Sequence, residues 1–214
     1  MSADSAAAEI TSWTGPTRAP LVEEVVLHLA EDIHRTWEQT DEQAPPFWAF
    51  AWAGGQALAR HVLDHPEAVR GRQVLDLAAG SGIVGLAALR AGATSAVLAD
   101  TDARARVAAG LNARANGVTE AVEILGTDLL HPGGPELDVD VILAGDVFYE
   151  QPMARRTEAF LDVAAGAGID VLVGDPGREY LPRRRCEELS VHDVPGTADL
   201  EGRAVTPTRV WRFH

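Results

Sequence analysis

The 214-residue chain is long enough for one domain to bury a sizeable core without staples, and its 46% hydrophobic content is ordinary for a folded, water-borne protein. A formal charge of −14 argues against a sequence-independent grip on nucleic acid, which needs a basic footprint, and favours a partner with basic patches. A lone Cys186 excludes an intrachain disulfide or cysteine-rich metal site, and without an 18-residue apolar run or a signal-peptide core no membrane association is expected and the cytoplasm is the default.

Residues 1 to about 18 are rich in Ala, Ser and Thr and are expected to be loose. From Leu21, apolar residues at Val22, Val25, Val26, Leu29, Ile33 and Trp37 form a helical stripe, which Pro45-Pro46 breaks. A second helix is expected from Gly55 through Leu58, Val62 and Leu63 to His65-Pro66. Strands then alternate with helices. Strand pattern over 73–77 leads to a helix over 83–91 that ends at Gly92, and 95–99 to a helix over 103–115 that stops at Asn116-Gly117. Further strands are expected at 121–125, 139–144 and 170–173, with a helix over 152–165 opened by Pro152. Such alternation makes a parallel sheet with helices on both faces. Two β-leaning stretches, 188–194 and 207–213, are placed to finish the sheet as an antiparallel hairpin.

The chemistry starts at Val74-Leu75-Asp76-Leu77-Ala78-Ala79-Gly80-Ser81-Gly82, an apolar strand running through an acid into a glycine turn. A second apolar run ends on Asp100. Glycines let backbone approach a ligand closely, and a carboxylate at a strand end can accept both hydroxyl protons of a ribose. Gly80 to Gly85 also fits the G-x-G-x-x-G of dinucleotide-binding dehydrogenases, so the glycines alone decide little. Asp76 separates the two readings. Its charge suits a cation better than a pyrophosphate, and S-adenosylmethionine (SAM) carries a sulfonium and an ammonium. Asp76 could instead only cap a turn.

Thr127-Asp128 follows the third strand on the same carboxyl edge, where Asp128 could accept from the adenine amine or merely cap a turn. Gly145-Asp146-Val147-Phe148-Tyr149 follows the fourth strand. There a carboxylate and a phenol can orient an incoming amine and help remove its proton, although Phe148 fits a core role better. Base-methylating enzymes usually carry consecutive prolines at this point, and this chain has none. Trp48 to Gln56, rich in aromatics and glycines, makes either a lid or a packing plug, the plug being favoured for Phe47 and Trp48. Seven scattered histidines lack metal-ligand spacing, so no metal is expected. Arg183-Arg184-Arg185 is a solvated face or a dock for an acidic segment.

With these motifs the chain resembles the seven-β-strand protein lysine methyltransferases, and among them those that act on the electron transfer flavoprotein β subunit. The resemblance covers about residues 45–214. It rests on Trp52-Ala53-Gly54-Gly55-Gln56, Val69 to Arg72, Val74 to Gly82, Gly145 to Tyr149, Val171 to Arg178 and Val210-Trp211. It implies a Rossmann-like, class I SAM-dependent α/β fold of seven mostly parallel strands with a C-terminal antiparallel hairpin. One methyltransferase domain is expected over 19–214, with N-terminal helices over 19–66 and the core over 71–214, acting as a monomer. By that resemblance Trp52, Ala78, Ala79, Gly80, Asp100 and Gly145 face SAM, and the reading of the residues adds Gly54, Asp76, Gly82, Thr127 and Asp128 to the expected cofactor site. Asp146 and Tyr149 serve a lysine of the flavoprotein β subunit, and the product is S-adenosylhomocysteine. Ala53 and the Ala78-Ala79 pair depart from the family pattern. The first 44 residues show no targeting presequence, which suits a bacterial cytoplasmic relative. Three rivals stay open: a small-molecule amine methyltransferase, a NAD-dependent dehydrogenase disfavoured by Asp76, and a non-catalytic adaptor.

Overall fold

A computed structural model describes residues 3–40, 46–131, 138–195 and 202–214. Its centre is a seven-stranded sheet. The strands β3 (Gln73–Leu77), β4 (Ser95–Ala99), β5 (Val122–Leu125), β6 (Val141–Gly145) and β7 (Asp170–Asp175) run parallel, while β8 (Cys186–Pro195) and β9 (Val205–Phe213) form an antiparallel pair; to keep chain order, β1 and β2 are the N-terminal hairpin described below. The spatial order is β5-β4-β3-β6-β7-β9-β8, with β9 antiparallel to β7. The expected architecture, including the closing hairpin, is therefore present.

Both faces of the central strands are apolar, as a parallel sheet covered by helices requires. Val74, Val141, Leu143 and Leu172 face one core, shared with α3 (Ala53–Asp64) and α4 (Ile83–Arg90). Their neighbours Leu75, Ile142, Ala144, Val171 and Val173 face the other, shared with α6 (Gln151–Gly166). Period-2 alternation thus splits one sheet between two cores. β3 connects through α4 to β4 on one side, while β6 pairs with β3 on the other, so the sheet's topological switch point lies between β3 and β6.

The N-terminal segment departs from its sequence reading. Residues 3–13 form helix α1 (Ala3–Trp13) where loose chain was expected, and Ile10 is 1% exposed against Trp48, Phe50, Ala105 and Ala108. The helix expected from Leu21 to Trp37 is instead the hairpin β1 (Gly15–Ala19) and β2 (Val22–Leu29), followed by the short helix α2 (Ile33–Thr40). Val22, Val25 and Leu29 satisfy helical spacing, but burial of Val25, Leu27 and Leu29 follows a period of two. Tertiary bonding decides the conflict. Two asparagines of α5 (Ala103–Ala115) and its C-cap hold the β2 backbone as a third strand would: Asn116 Oδ1 accepts from Val26 N–H at 3.0 Å while its amide donates to Val26 O at 2.7 Å, and Asn112 Oδ1 accepts from His28 N–H at 2.7 Å. Pro45, half of the predicted helix break, lies outside the described residues.

Candidate active site

At the carboxyl ends of β3, β4 and β6 the chain leaves a cavity of about 530 Å³, in the size range of small-molecule sites. The β3–α4 turn forms its floor. Ala78, Gly80 and Gly82 all take positive φ there (54°, 53° and 79°). Gly pays little for this, whereas an Ala in the left-handed region is strained, so the departure at Ala78 has a backbone cost. Gly80 N–H donates to Asp100 Oδ2 at 2.9 Å and Asp102 N–H to Asp100 Oδ1 at 2.9 Å. Two backbone donors thus fix the Asp100 carboxylate, and each oxygen keeps a lone pair for a ligand hydroxyl. Burial pushes its pKa up, against the pull of those two N–H groups.

Two helices aim their first turns at the cavity, and neither has a side-chain cap of its own. α4 starts after Gly82 and α3 after Trp52, both without a capping hydrogen bond from the N-cap side chain. Each receives its cap from an acid on a neighbouring strand or the turn after it. Asp76 Oδ2 accepts from Gly85 N–H at 2.8 Å, and Asp146 Oδ2 accepts from Gly55 N–H at 2.8 Å. Gly85 and Gly55 are the third residues of their helices, where orphan N–H groups and the positive end of the helix dipole favour a carboxylate. Asp76 is almost fully buried, and burial pushes its pKa up to about 8 despite the Gly85 bond. The capping role weighed for Asp76 is therefore real, but the same side chain also lines the cavity.

The glycine run before α3 sorts into two jobs. Gly55 lines the cavity and donates to Asp146. Gly54 does not line it; a Cβ there would stand 2.3 Å from Gly174 O and 2.6 Å from Asp146 Oδ2. Gly145 is the matching gap on β6, where a Cβ would meet Gly55 Cα at 2.9 Å. These glycines let α3 lie directly on the ends of β6 and β7. Gly82 likewise packs against Leu98, at 3.0 Å from its would-be Cβ, and stays outside the cavity lining.

Asp146 itself sits at φ 56°, a conformation that Asp tolerates better than most residues. Its N–H donates to Gly174 O at 2.9 Å, and its Oδ1 accepts from Arg178 Nη2 at 2.9 Å. Burial raises its pKa to about 6, the Arg178 guanidinium holding it lower than burial alone would. Arg178, which ends the Gly174-Asp175-Pro176-Gly177-Arg178 run, lines the cavity although sequence reasoning assigned it no role, as do Ser81, Thr101, Asp102 and Met153. Asp175 Oδ1 accepts from the N–H groups of Gly177 and Arg178, at 2.6 and 2.7 Å, and so fixes the turn that delivers the guanidinium.

An aromatic rim borders the cavity. Phe47 lies 5.5 Å from Trp52 and 5.4 Å from Tyr149, ring centroid to centroid, and Trp52 Nε1 donates to Phe47 O. Phe47 is 38% exposed and Tyr149 is 42% exposed. Phe47 was read as a plug and is instead part of this rim; Trp48 is buried against Ile10 as expected of a plug, while also lining the cavity. Phe148 lies in the second core. Burial and the nearby Glu150 and Asp100 push the Tyr149 phenol up.

Thr127 and Asp128 line an adjoining cavity of about 200 Å³ that shares Ala78, Asp100, Thr101 and Met153 with the larger one. Asp128 accepts from Leu130 N–H and pairs with Arg156, whose guanidinium lowers its pKa. The three-arginine run is engaged at home: Arg183 donates to Gly177 O, Arg184 pairs with Glu158 and Arg185 with Asp162. His61, His65 and His192 gather with Ser190 around the C-terminal end of α3, yet no group of three metal-ligating side chains among the described residues could hold an ion. No helix among the described residues is long and apolar enough to cross a membrane.

Comparison with known proteins agrees with this geometry. The family model of ribosomal protein L11 methyltransferase (PrmA) matches residues 57–147, from α3 through the Asp146 turn. A Danio rerio protein named electron transfer flavoprotein beta subunit lysine methyltransferase is 36% identical over 203 residues, 91% of this chain and 77% of the relative. Among solved structures, the ribosomal protein L11 methylase of Lactobacillus delbrueckii subsp. bulgaricus superposes with a TM-score of 0.50 at 20% identity, covering 75% of this chain and 79% of that one. SMU.776 complexed with S-adenosylhomocysteine (SAH) superposes with a TM-score of 0.57 at 12% identity, covering 92% and 57%. At those identities the two structures speak for the fold alone. The sheet order, the acid-and-glycine cavity at its switch point and the kinship over most of its length agree: this chain belongs to the electron transfer flavoprotein beta subunit lysine methyltransferases, a family of SAM-dependent enzymes.

Proposed function

We propose that the enzyme transfers methyl groups from SAM to lysine side chains of the electron transfer flavoprotein β subunit. The observation that carries this reading is the 36% identity to a relative so named, over a span that includes every wall of the cavity. The residues present fit the cofactor. Asp76, protonated through burial in the absence of ligand, would ionise to take an ammonium; the Asp100 carboxylate, fixed by two N–H groups, would take ribose hydroxyls; Trp52 and the Ala78–Gly80 turn would enclose the remainder. Thr127 and Asp128, on the adjoining cavity, would lie toward the adenine, with Arg156 competing for the Asp128 carboxylate.

Bound SAM supplies a methyl group already activated by its sulfonium, so the protein's part is positioning more than covalent help. The obstacle is the proton on the substrate. Free lysine has a pKa of about 10.4, so presenting a neutral amine at pH 7 costs roughly 4.6 kcal/mol. An apolar, aromatic-rimmed cavity lowers that cost by desolvating the ammonium. Tyr149, at the rim, would align the amine, and Asp146 would orient it through the spare lone pairs of its anchored carboxylate. Neither is asked to be a strong base. Intact-mass spectrometry of the purified β subunit after incubation with enzyme and SAM tests this. Added methylene increments are expected. An unchanged β subunit beside efficient methylation of a small amine would move the enzyme to the small-molecule class.

A further inference from the structure

We propose that Arg178 is a positioning residue for methyl transfer: it anchors the Asp146 carboxylate and offsets its charge, so that Asp146 orients the substrate amine without trapping it as an ammonium ion. The inference rests on the lysine reading above. Its starting point is the coordination of Asp146. One carboxylate oxygen is held by Gly55 N–H at 2.8 Å and the other by Arg178 Nη2 at 2.9 Å, while the Asp146 N–H is tied to Gly174 O. The carboxylate side chain is only 12% exposed, and the guanidinium 23%. A charge pair so poorly reached by water is screened little.

The chemistry makes the pairing consequential. A lone carboxylate beside a lysine favours the charged amine and raises its pKa, whereas methyl transfer needs the neutral amine. Asp146 paired with Arg178 is neutral overall, yet it keeps hydrogen-bond acceptors of fixed direction. The arrangement is built from a distance: buried Asp175 clamps the backbone N–H groups of Gly177 and Arg178, and Gly54 and Gly174 leave the space in which Asp146 meets α3. The Gly174-Asp175-Pro176-Gly177-Arg178 run is thus a bracket for Asp146.

A double-mutant cycle on the full-length enzyme decides the matter, with kcat measured on the methylated substrate and SAM affinity by calorimetry. Arg178→Gln should lower kcat by about 10- to 100-fold, the scale of a charged hydrogen bond, and leave the SAM Kd within about threefold. Arg178→Lys should recover part of the loss, since it keeps the charge but not the fork. On an Asp146→Asn background the Arg178 substitution should change kcat by less than about threefold, because the charge it offsets is already gone. Losses that multiply in the double variant, or a SAM Kd that weakens as much as kcat falls, would show Arg178 meeting substrate or cofactor directly and overturn the proposal. If Arg178→Gln does not fold, the same cycle with Arg178→Lys gives the answer. Lack of any lysine methylation by the unaltered enzyme counts against the proposed function; multiplicative losses in an active enzyme count against Arg178 alone.

Discussion

SAM binding should release protons at neutral pH, and Asp76 should be their source. Without ligand, burial pushes the Asp76 pKa up to about 8, so at pH 7 the side chain is mostly protonated. An ammonium docked beside it favours the carboxylate and drives that proton off. The free ligand's own α-amino group, with a pKa of about 7.7–8.0, is mostly charged at pH 7 and takes up only about a tenth of a proton. A net fraction of a proton per SAM is therefore released at pH 7, and less of it as pH rises and more of the free amine must take up a proton. Isothermal titration calorimetry in two buffers of different ionisation enthalpy reads this number directly. Asp76→Asn keeps an oxygen for Gly85 N–H and removes the titration, so most of the release should vanish. The sign for stability follows from the same shift. The native state binds more protons than the unfolded chain between the ordinary carboxylate range and pH 8, so Asp76 makes the ligand-free fold less stable as pH rises through that window. Ligand-free Asp76→Asn should therefore match or exceed the unaltered protein in Tm above pH 8. Equal proton release from both proteins at pH 7 would refute the assignment of Asp76 to the ammonium.

Asp100→Ala removes the carboxylate that Gly80 and Asp102 N–H groups hold in place, and should weaken SAM binding by about 1.5–3 kcal/mol in calorimetry with the fold intact by circular dichroism. Gly174→Ala places a Cβ 2.1 Å from Gly54 O, a clash with backbone that cannot rotate away; about 3 kcal/mol of stability, or roughly 6–12 °C in Tm for a chain of this size, should be lost in thermal unfolding. Ile10→Asp buries an unpaired charge against Trp48 and Phe50, and should undock α1 and raise the SAM dissociation rate in stopped-flow fluorescence. Because a net charge of −14 favours a partner that presents its lysine in a basic patch, kcat/KM for the β subunit should fall as salt rises, whereas a small neutral acceptor should show little change.

The core of the fold was legible because its strands are written twice, once as apolar runs and once as the glycines and acids that close them. Val74 to Gly82 and Val141 to Gly145 needed no tertiary information to be placed. The segment from Leu21 to Trp37 did. Val22, Val25, Val26 and Leu29 satisfy a helix period while Val25, Leu27 and Leu29 satisfy a strand period, and what selects the strand is the pair Asn112 and Asn116, more than eighty residues away. Helix α1 was missed for a related reason: an alanine-rich segment with few apolar residues looks free until Ile10 meets Trp48 and Phe50.

At the site, residue types that grip a nucleoside could be picked out, but their division of labour could not. Gly54 and Gly55 are indistinguishable in sequence, yet one packs on Gly174 and the other faces the cavity. Asp128 could serve a base or cap a turn; it does cap Leu130 N–H, and it is also paired with Arg156, a contact made across a loop and a helix that the sequence does not show. Arg178 lay in plain sight at the end of a motif, but its partner Asp146 is 32 positions earlier and only the sheet order brings the two together.

The central claim is that methyl groups go to lysine side chains of the flavoprotein β subunit, and identification of the methylated amino acid tests it most directly. The enzyme contains no lysine, all of its basic chain residues being arginine, so any methyllysine formed must lie on the substrate. The purified β subunit is incubated with enzyme and methyl-labelled SAM, hydrolysed to amino acids and separated. The account predicts label in Nε-methylated lysine, reduced at least about tenfold by Asp100→Ala at limiting SAM. Label confined to methylarginine, to a terminal amine or to small molecules would contradict it.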